Sequence, residues 1–144
     1  MTLASGISHG YGCVLFPEGT SHNNAYMLRF RTGPMRTVLA ASALAKASDK
    51  PMPVIIPIGL HFRTREFFRT DIWVEFGQPL QVQEDDVPDS LVEAIASGTW
   101  SEPPADSVFS LRDKLRTELV PLTPNTYSWD EYRGLHLLGH IKGR

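Results

Sequence analysis

The first eighty residues contain three apolar patterns typical of β-strands. Residues 12–16 form a short apolar run that ends at Pro17, which predicts a buried strand leading into a loop. Residues 54–60 form a continuous apolar run of the kind found in strands buried on both faces. Pro57 interrupts this run and lacks an N–H donor, so it should mark a strand end, a bulge or an edge. Residues 71–76 alternate apolar and polar side chains, which predicts a third strand.

Helical spacing predicts two helices before residue 107. The first runs from Pro34, a residue suited to the first helical position, to about Ala47. A second, short helix is predicted after Ser90, because Glu93 follows it at the spacing of a capping box.

Two further helices are predicted near the end of the chain. An amphipathic helix that Pro121 ends is predicted by four apolar residues at helical spacing: Val108, Leu111, Leu115 and Leu119. A last helix is predicted to be capped by Ser128, with Glu131 three residues on. This helix is expected to bury Trp129, Tyr132 and Leu135.

Strands separated by a helix predict an α/β fold with a partly parallel mixed sheet flanked by helices. The expected organisation is a sheet-bearing segment, residues 1–83, then an acidic linker, residues 84–106, and a helical tail, residues 107–144. The linker assignment rests on seven acidic residues without a Lys or Arg between Glu84 and Asp106.

Composition narrows the class of protein. The 144 residues are 42% hydrophobic and 21% charged, typical of one globular domain, and the single cysteine excludes an internal disulfide. No apolar run approaches the ~18 residues of a membrane span. The net charge of −2 combines a basic first half with an acidic second half. The basic half suits an anionic ligand, and a solvated basic face explains it equally well. The basic residues form no run, so nucleic acid is not expected as a partner.

Two short motifs are weak candidates for chemistry. Residues 6–10 match the G-x-S-x-G elbow of serine hydrolases, but that elbow needs a strand before it and a helix after it, and here the predicted strand follows. His136 and His140 lie four residues apart on a predicted helix, as zinc ligands can, without a clear third ligand. An exposed helix face is the better interpretation of this pair, and no metal site is expected.

The strongest local signal is the sequence Phe16 to Ser21. It places a carboxylate, Glu18, beside a glycine and two hydroxyl groups at the end of a predicted strand, where open α/β sheets bind ligands. Gly19 would let a ligand approach the backbone closely. An ordinary turn with Glu18 in water is an equally open interpretation.

Phe16 to Ser21 resembles block III of the glycerolipid acyltransferase family, F-P-E-G-T-R-S, apart from one missing basic residue. Three further segments resemble other family motifs in the family's order: the basic-x-glycine segment at 31–36, the block IV proline strand Ile56-Pro57-Ile58, and the closing strand and F-G-x-P-[LI] turn at 68–80. The tail formed by residues 122–125 and Trp129 is similar to that of the glycerol-3-phosphate acyltransferase branch. By this resemblance, residues 1–83 are the C-terminal part of an incomplete acyltransferase-like domain.

The resemblance implies O-acyl transfer from an acyl thioester to glycerol 3-phosphate or a lysophosphatidic acid in phospholipid synthesis. Acyl-CoA or acyl-carrier protein would serve as co-substrate, with no bound cofactor. The intact protein is expected at an intracellular membrane surface.

The resemblance also implies a set of site residues. Glu18 would hydrogen-bond the glycerol moiety, Gly19 would permit close approach, and Thr20 and Ser21 would donate to the phosphate region. Arg31 is the expected phosphate ligand, because a guanidinium can hold phosphate with two hydrogen bonds. The acyl-donor side would be lined by Ile56, Pro57 and Ile58, although a purely structural bulge at Pro57 is an equally open interpretation.

The family's catalytic H-x-x-x-x-D motif, whose histidine acts as general base, is expected before block III and does not occur in this sequence. Only His61 has an acid five positions on, Glu66, and that pair is interpreted as coincidence because it follows block IV. No catalytic residue is therefore assigned, and the chain alone is expected to be inactive. The alternative function is a non-catalytic fragment or pseudoenzyme that binds a phosphate ester or a partner chain.

Overall fold

Short strands in the middle of the chain are preceded and followed by helices. The computed structural model describes residues 3–62 and 67–143. The elements of these residues, in chain order, are α1 Leu3–Ser8, α2 Gly33–Ala47, β1 Val54–Ile55, β2 Ile58–Phe62, β3 Ile72–Phe76, β4 Leu80–Gln81, α3 Asp89–Ala96, α4 Ala105–Leu119 and α5 Trp129–Lys142. Short 3₁₀ helices lie at Glu84–Asp86 and Val120–Leu122.

The strands form two antiparallel pairs. β1 pairs with β4, and β2 pairs with β3 in a register that places Ile58 opposite Phe76. The prediction for Pro57 is confirmed, since one strand ends before it and another begins after it. The predicted alternating strand is also confirmed, as β3. Both pairs in the described residues are antiparallel, so they do not show the expected parallel pairing, which stays a prediction.

Two strand predictions need correction. Residues 12–16 are not a strand: they lack ladder bonds, and Val14 is 76% exposed. The run 54–60 is not one strand buried on both faces, because Pro57 divides it and Leu60 is 48% exposed. Apolar composition alone predicted burial in both places, but a strand also needs a neighbouring strand and a covering layer.

The helix predictions agree better with the structure. α2 and α4 are confirmed: Pro34 lies in the first turn of α2, and all four apolar residues of the α4 pattern are buried. α3 begins at Asp89 after Pro88, so Ser90 lies inside the first turn and the predicted Ser90 cap is wrong. Among the residues that the structure describes, every helix is too short or too polar to span a lipid bilayer.

The last helix is capped as predicted but packs differently. Ser128 Oγ accepts a hydrogen bond from the Glu131 N–H at 3.1 Å, which confirms the cap. None of the residues of α5 is fully buried: Trp129 and Tyr132 are half-buried, and Leu135 is 54% exposed, so the predicted burial is wrong for Leu135 and only partial for the two aromatic residues. The aliphatic residues of α5 lie on several sides of the helix, and in the described residues they are exposed.

The core lies where α2, α3 and α4 meet. Its largest fully buried side chains include Met35 and Leu39 of α2, Leu91 of α3 and Val108 of α4. The segment predicted as a linker thus supplies core residues, Leu91 and also Val87. The three segments share one core, and the domain boundaries proposed from the sequence stay a prediction.

Candidate functional site

The block III segment forms a closed loop, called here the site loop, residues 16–31. The Gly19 N–H donates to the Phe16 carbonyl at 3.1 Å, which makes a tight turn. At the far end, the Arg31 N–H donates to the Pro17 carbonyl at 2.7 Å. These two bonds bring the residues that the family motif contains next to Arg31.

The Glu18 carboxylate lies inside the site loop and binds it at two points. Oε1 accepts a hydrogen bond from the Leu28 N–H, and Oε2 lies 3.0 Å from His22 Nε2. The Asn24 N–H donates to His22 Nδ1 at 3.2 Å, which assigns the proton of the neutral imidazole to Nε2. His22 therefore donates to Glu18. The sequence assigned no role to His22, whose bond to Glu18 fastens this loop.

Gly19 is required at its position by both conformation and space. Its φ of +67° is in the left-handed region that favours glycine. A Cβ built there would lie 2.8 Å from Arg31 Cγ, because the aliphatic part of the arginine crosses the turn. The close approach that the sequence predicted for Gly19 is, in this structure, the approach of Arg31.

Arg31 presents its charge to solvent. The residue is exposed, and in residues 3–62 and 67–143 no carboxylate forms an ion pair with its guanidinium. Arg36, five residues on, is instead paired with Glu102. Thr20 and Ser21, next to Gly19, are exposed as well. The turn therefore exposes hydroxyl donors, and Arg31, whose side chain crosses this turn, exposes a charged donor, which is the chemistry that an oxyanion needs.

The expected acyl-donor residues lie in a different part of the molecule. Pro57 is buried between β1 and β2, while Ile56 and Ile58 are 53% and 39% exposed. The Gly77 N–H donates to the Pro57 carbonyl at 2.8 Å, and a Cβ at Gly77 would lie 2.7 Å from Leu122 Cδ1. A Cβ at the glycine of the F-G-x-P turn would therefore displace the end of the Leu122 side chain. These contacts do not join the group to the site loop, so its role stays a prediction.

A second segment contacts the site loop from the far end of the sequence. The Trp129 Nε1–H donates to the Asn23 carbonyl at 2.7 Å, and the Thr126 N–H donates to the Ala25 carbonyl at 2.9 Å. Asn125 Oδ1 accepts from a third loop residue, through the Met27 N–H at 3.4 Å. Residues 125–129 are called here the tail clasp. The family resemblance of the tail was visible in the sequence, but no local pattern reports a contact across about one hundred residues.

Arg116 of α4 is another residue that sequence reasoning missed. Its Nη1 donates to the Leu28 carbonyl at 3.2 Å, and its guanidinium lies 5.6 Å from the centre of the Phe30 ring. Leu28 is thus fixed by Glu18 at its N–H and by Arg116 at its carbonyl.

The weaker candidates lie outside the site loop. Residues 6–8 form the end of helix α1, and residues 9 and 10 the turn after it, so in the described residues no strand leads into the motif and the context is wrong for a hydrolase elbow. His61 Nε2 lies 3.5 Å from Glu75 Oε2 across β2 and β3, while its sequence partner Glu66 lies outside the described residues. His136 and His140 are exposed on α5. Across the described part of the chain, no three metal-ligating side chains come together.

The chain is similar to two curated proteins of Saccharomyces cerevisiae. It is 31% identical to glycerol-3-phosphate O-acyltransferase 2 over 125 residues, which are 85% of this chain and 15% of that protein. It is 26% identical to glycerol-3-phosphate O-acyltransferase 1 over 117 residues, which are 81% of this chain and 14% of that protein. The chain therefore spans about one seventh of the length of these relatives. No family model and no solved structure matches it.

Both relatives carry the name that the motifs had indicated, and both matches extend over most of this chain. The resemblance found in the sequence is thereby confirmed: the chain is related to the glycerolipid acyltransferases.

Proposed function

We propose that this chain supplies the glycerol 3-phosphate-binding part of an acyltransferase, and that Arg31 holds the phosphate. One observation carries the proposal: the Arg31 side chain lies across the Gly19 turn with its guanidinium exposed and free of an acidic partner in the described residues. The names of the two yeast relatives support glycerol 3-phosphate as the substrate.

The proposed roles follow the geometry of the loop. Arg31 presents two parallel N–H donors to phosphate oxygens, and Thr20 and Ser21 add hydroxyl donors from the turn. Glu18 has both carboxylate oxygens engaged by the loop, so its main role is to fix the loop, with remaining lone pairs for a glycerol hydroxyl.

Binding measurements test this proposal. Calorimetric titration with glycerol 3-phosphate should give a dissociation constant that Arg31→Ala raises at least about tenfold, the loss expected for a charge-assisted hydrogen-bonded contact. Arg29→Ala is the matched control, because Arg29 is also exposed and two residues away. It should change the affinity by less than about twofold through the general field. Equal losses in the two variants would contradict a specific role for Arg31.

Acyl transfer itself is proposed for the longer protein to which such a segment belongs. There, acyl-CoA or acyl-carrier protein at a membrane surface would be the donor. The general base that deprotonates the glycerol hydroxyl would be supplied from outside these 144 residues, since no H-x-x-x-x-D motif occurs in them.

The lack of an H-x-x-x-x-D motif in these 144 residues favours a second candidate function, a non-catalytic chain that binds a phosphate ester. Incubation of the chain with acyl-CoA and glycerol 3-phosphate separates the candidates. Free CoA released in step with lysophosphatidic acid would exclude the non-catalytic function. Arg31-dependent binding without CoA release would support it for the chain as it stands.

A further inference from the structure

The tail clasp holds the site loop through three hydrogen bonds to its backbone. It binds three alternate residues of the loop: the carbonyl of Asn23, the carbonyl of Ala25 and the N–H of Met27. The loop bends at Ala25 and Tyr26, between the bonds to Asn23 and Met27, so the clasp holds the loop on both sides of this bend. Ala25, at the centre of the contact, is 4% exposed.

The clasp is itself held rigidly by the start of α5. Ser128 Oγ accepts from the Glu131 N–H at 3.1 Å, and Glu131 Oε2 accepts from the Tyr127 N–H at 2.8 Å, so the side chains on both sides of the cap are fixed. The Trp129 ring meets the edge of Tyr132 with their centres 5.7 Å apart. None of the residues of α5 is buried, so the helix meets the rest of the described structure chiefly through its first turns.

We propose that the tail clasp sets the conformation of the site loop and that Trp129 is a positioning residue for phosphate binding. This proposal rests on the proposed function of Arg31. Few residues separate the tail clasp from Arg31. The clasp fixes residues 23–27, and the next residue, Leu28, is held by Glu18 and Arg116. Arg31 follows three residues after Leu28. Trp129 contributes the shortest of the clasp bonds, and its indole N–H can only donate.

The test substitutes Trp129→Phe in the full chain. Phenylalanine keeps an aromatic ring against Tyr132 but lacks the N–H, so the bond to the Asn23 carbonyl is lost. Trp100→Phe is the matched control, because Trp100 is 65% exposed and takes no part in the clasp. The probe is glycerol 3-phosphate, and inorganic phosphate in a parallel titration shows whether the phosphate group carries the effect.

Trp129→Phe should raise the dissociation constant about fivefold, the effect of one ordinary hydrogen bond, while Trp100→Phe leaves it unchanged. In an Arg31→Ala background, Trp129→Phe should have no further effect on affinity, because the residue acts through Arg31. Hydrogen exchange of the Met27 and Thr126 amides should accelerate, with the exchange of buried α2 amides unchanged.

Two results would overturn the proposal: unchanged exchange of Met27 in Trp129→Phe, or an affinity loss of the same size in the Arg31→Ala background. A failure of the proposed function looks different. In that case Arg31→Ala leaves the affinity unchanged, while faster exchange of Met27 in Trp129→Phe still supports the clasp as the element that sets the loop.

Discussion

At the scale of single residues, the site loop depends on a glycine and an arginine that occupy the same space. Gly19 has a positive φ, and the Arg31 side chain passes over it where a Cβ would be. The sequence predicted that both residues belong to the site. It did not predict that one makes room for the other, because the contact depends on the closure of the loop between Pro17 and Arg31.

Gly19→Ala should therefore harm both stability and binding. The left-handed conformation alone costs about 1–2 kcal/mol for a residue with a Cβ, and the contact with Arg31 Cγ adds to it. Urea unfolding and titration with glycerol 3-phosphate measure the two effects.

Gly98→Ala is the control for this substitution. Gly98 has a similar φ of +74°, but a Cβ there meets nothing within 4 Å. Gly98→Ala should lower the free energy of unfolding by the cost of the left-handed conformation and leave the affinity for glycerol 3-phosphate unchanged. Equal stability losses in the two variants, with affinity intact in both, would mean that the crossing of Arg31 over Gly19 does not matter.

At the scale of elements, helices α2 to α5 could be predicted from the sequence, whereas α1 and the packing of the strands could not. α2, α4 and the Ser128 cap follow from local spacing, capping and the position of Pro34. The predictions of a strand at residues 12–16 and of a fully buried strand at 54–60 were wrong, because whether an apolar strand is covered depends on elements distant in the chain. Leu91 was not recognised as a core residue, because residues 84–106 are acidic overall and its burial depends on elements distant in the chain.

Leu91→Ala tests whether α3 is part of the core. Leu91 is 1% exposed, so its truncation should lower the free energy of unfolding by about 2–5 kcal/mol, as buried Leu→Ala substitutions do. Leu137→Ala is the control: Leu137 is 62% exposed on α5, and its loss should stay within about 0.5 kcal/mol. A similar small loss for both variants in urea unfolding would contradict the assignment of Leu91 to the core.

An ion pair connects the same segment to α4. Lys114 Nζ donates to Asp86 Oδ1 at 2.6 Å, and this bond lowers the pKa of the Asp86 carboxyl from its usual range. A depressed folded-state pKa means that the pair stabilises the fold above the unfolded carboxyl's pKa of about 3.9, and that this contribution disappears as the pH falls through the folded-state pKa.

Asp86→Asn should therefore reduce the free energy of unfolding at neutral pH by about 0.2–1 kcal/mol, the range for solvent-accessible pairs. The difference from the unsubstituted chain should shrink as the pH falls below about 3.9. Asp85→Asn, at the exposed neighbouring position, is the control. A difference that persists unchanged at acid pH would show that charge is not what Asp86 contributes.

At the scale of the whole molecule, the buried apolar side chains and the exposed ones lie in different elements. The core of α2, α3 and α4 is packed, whereas the β2–β3 pair exposes large apolar side chains such as Trp73 and Phe76, at 71% and 67%. Apolar surface of this extent promotes association. The site loop lies between the packed core, through Phe30 and Arg116, and the tail clasp.

Phosphate binding by the site loop is tested most directly by an NMR titration that maps where glycerol 3-phosphate binds on the ¹⁵N-labelled chain. We expect the largest amide shifts at Gly19, Thr20, Ser21 and Arg31. Inorganic phosphate should reproduce the shift at Arg31, and glycerol alone should not. Shifts centred on the exposed β2–β3 pair, or a site loop that does not respond to the ligand, would contradict phosphate binding by the site loop.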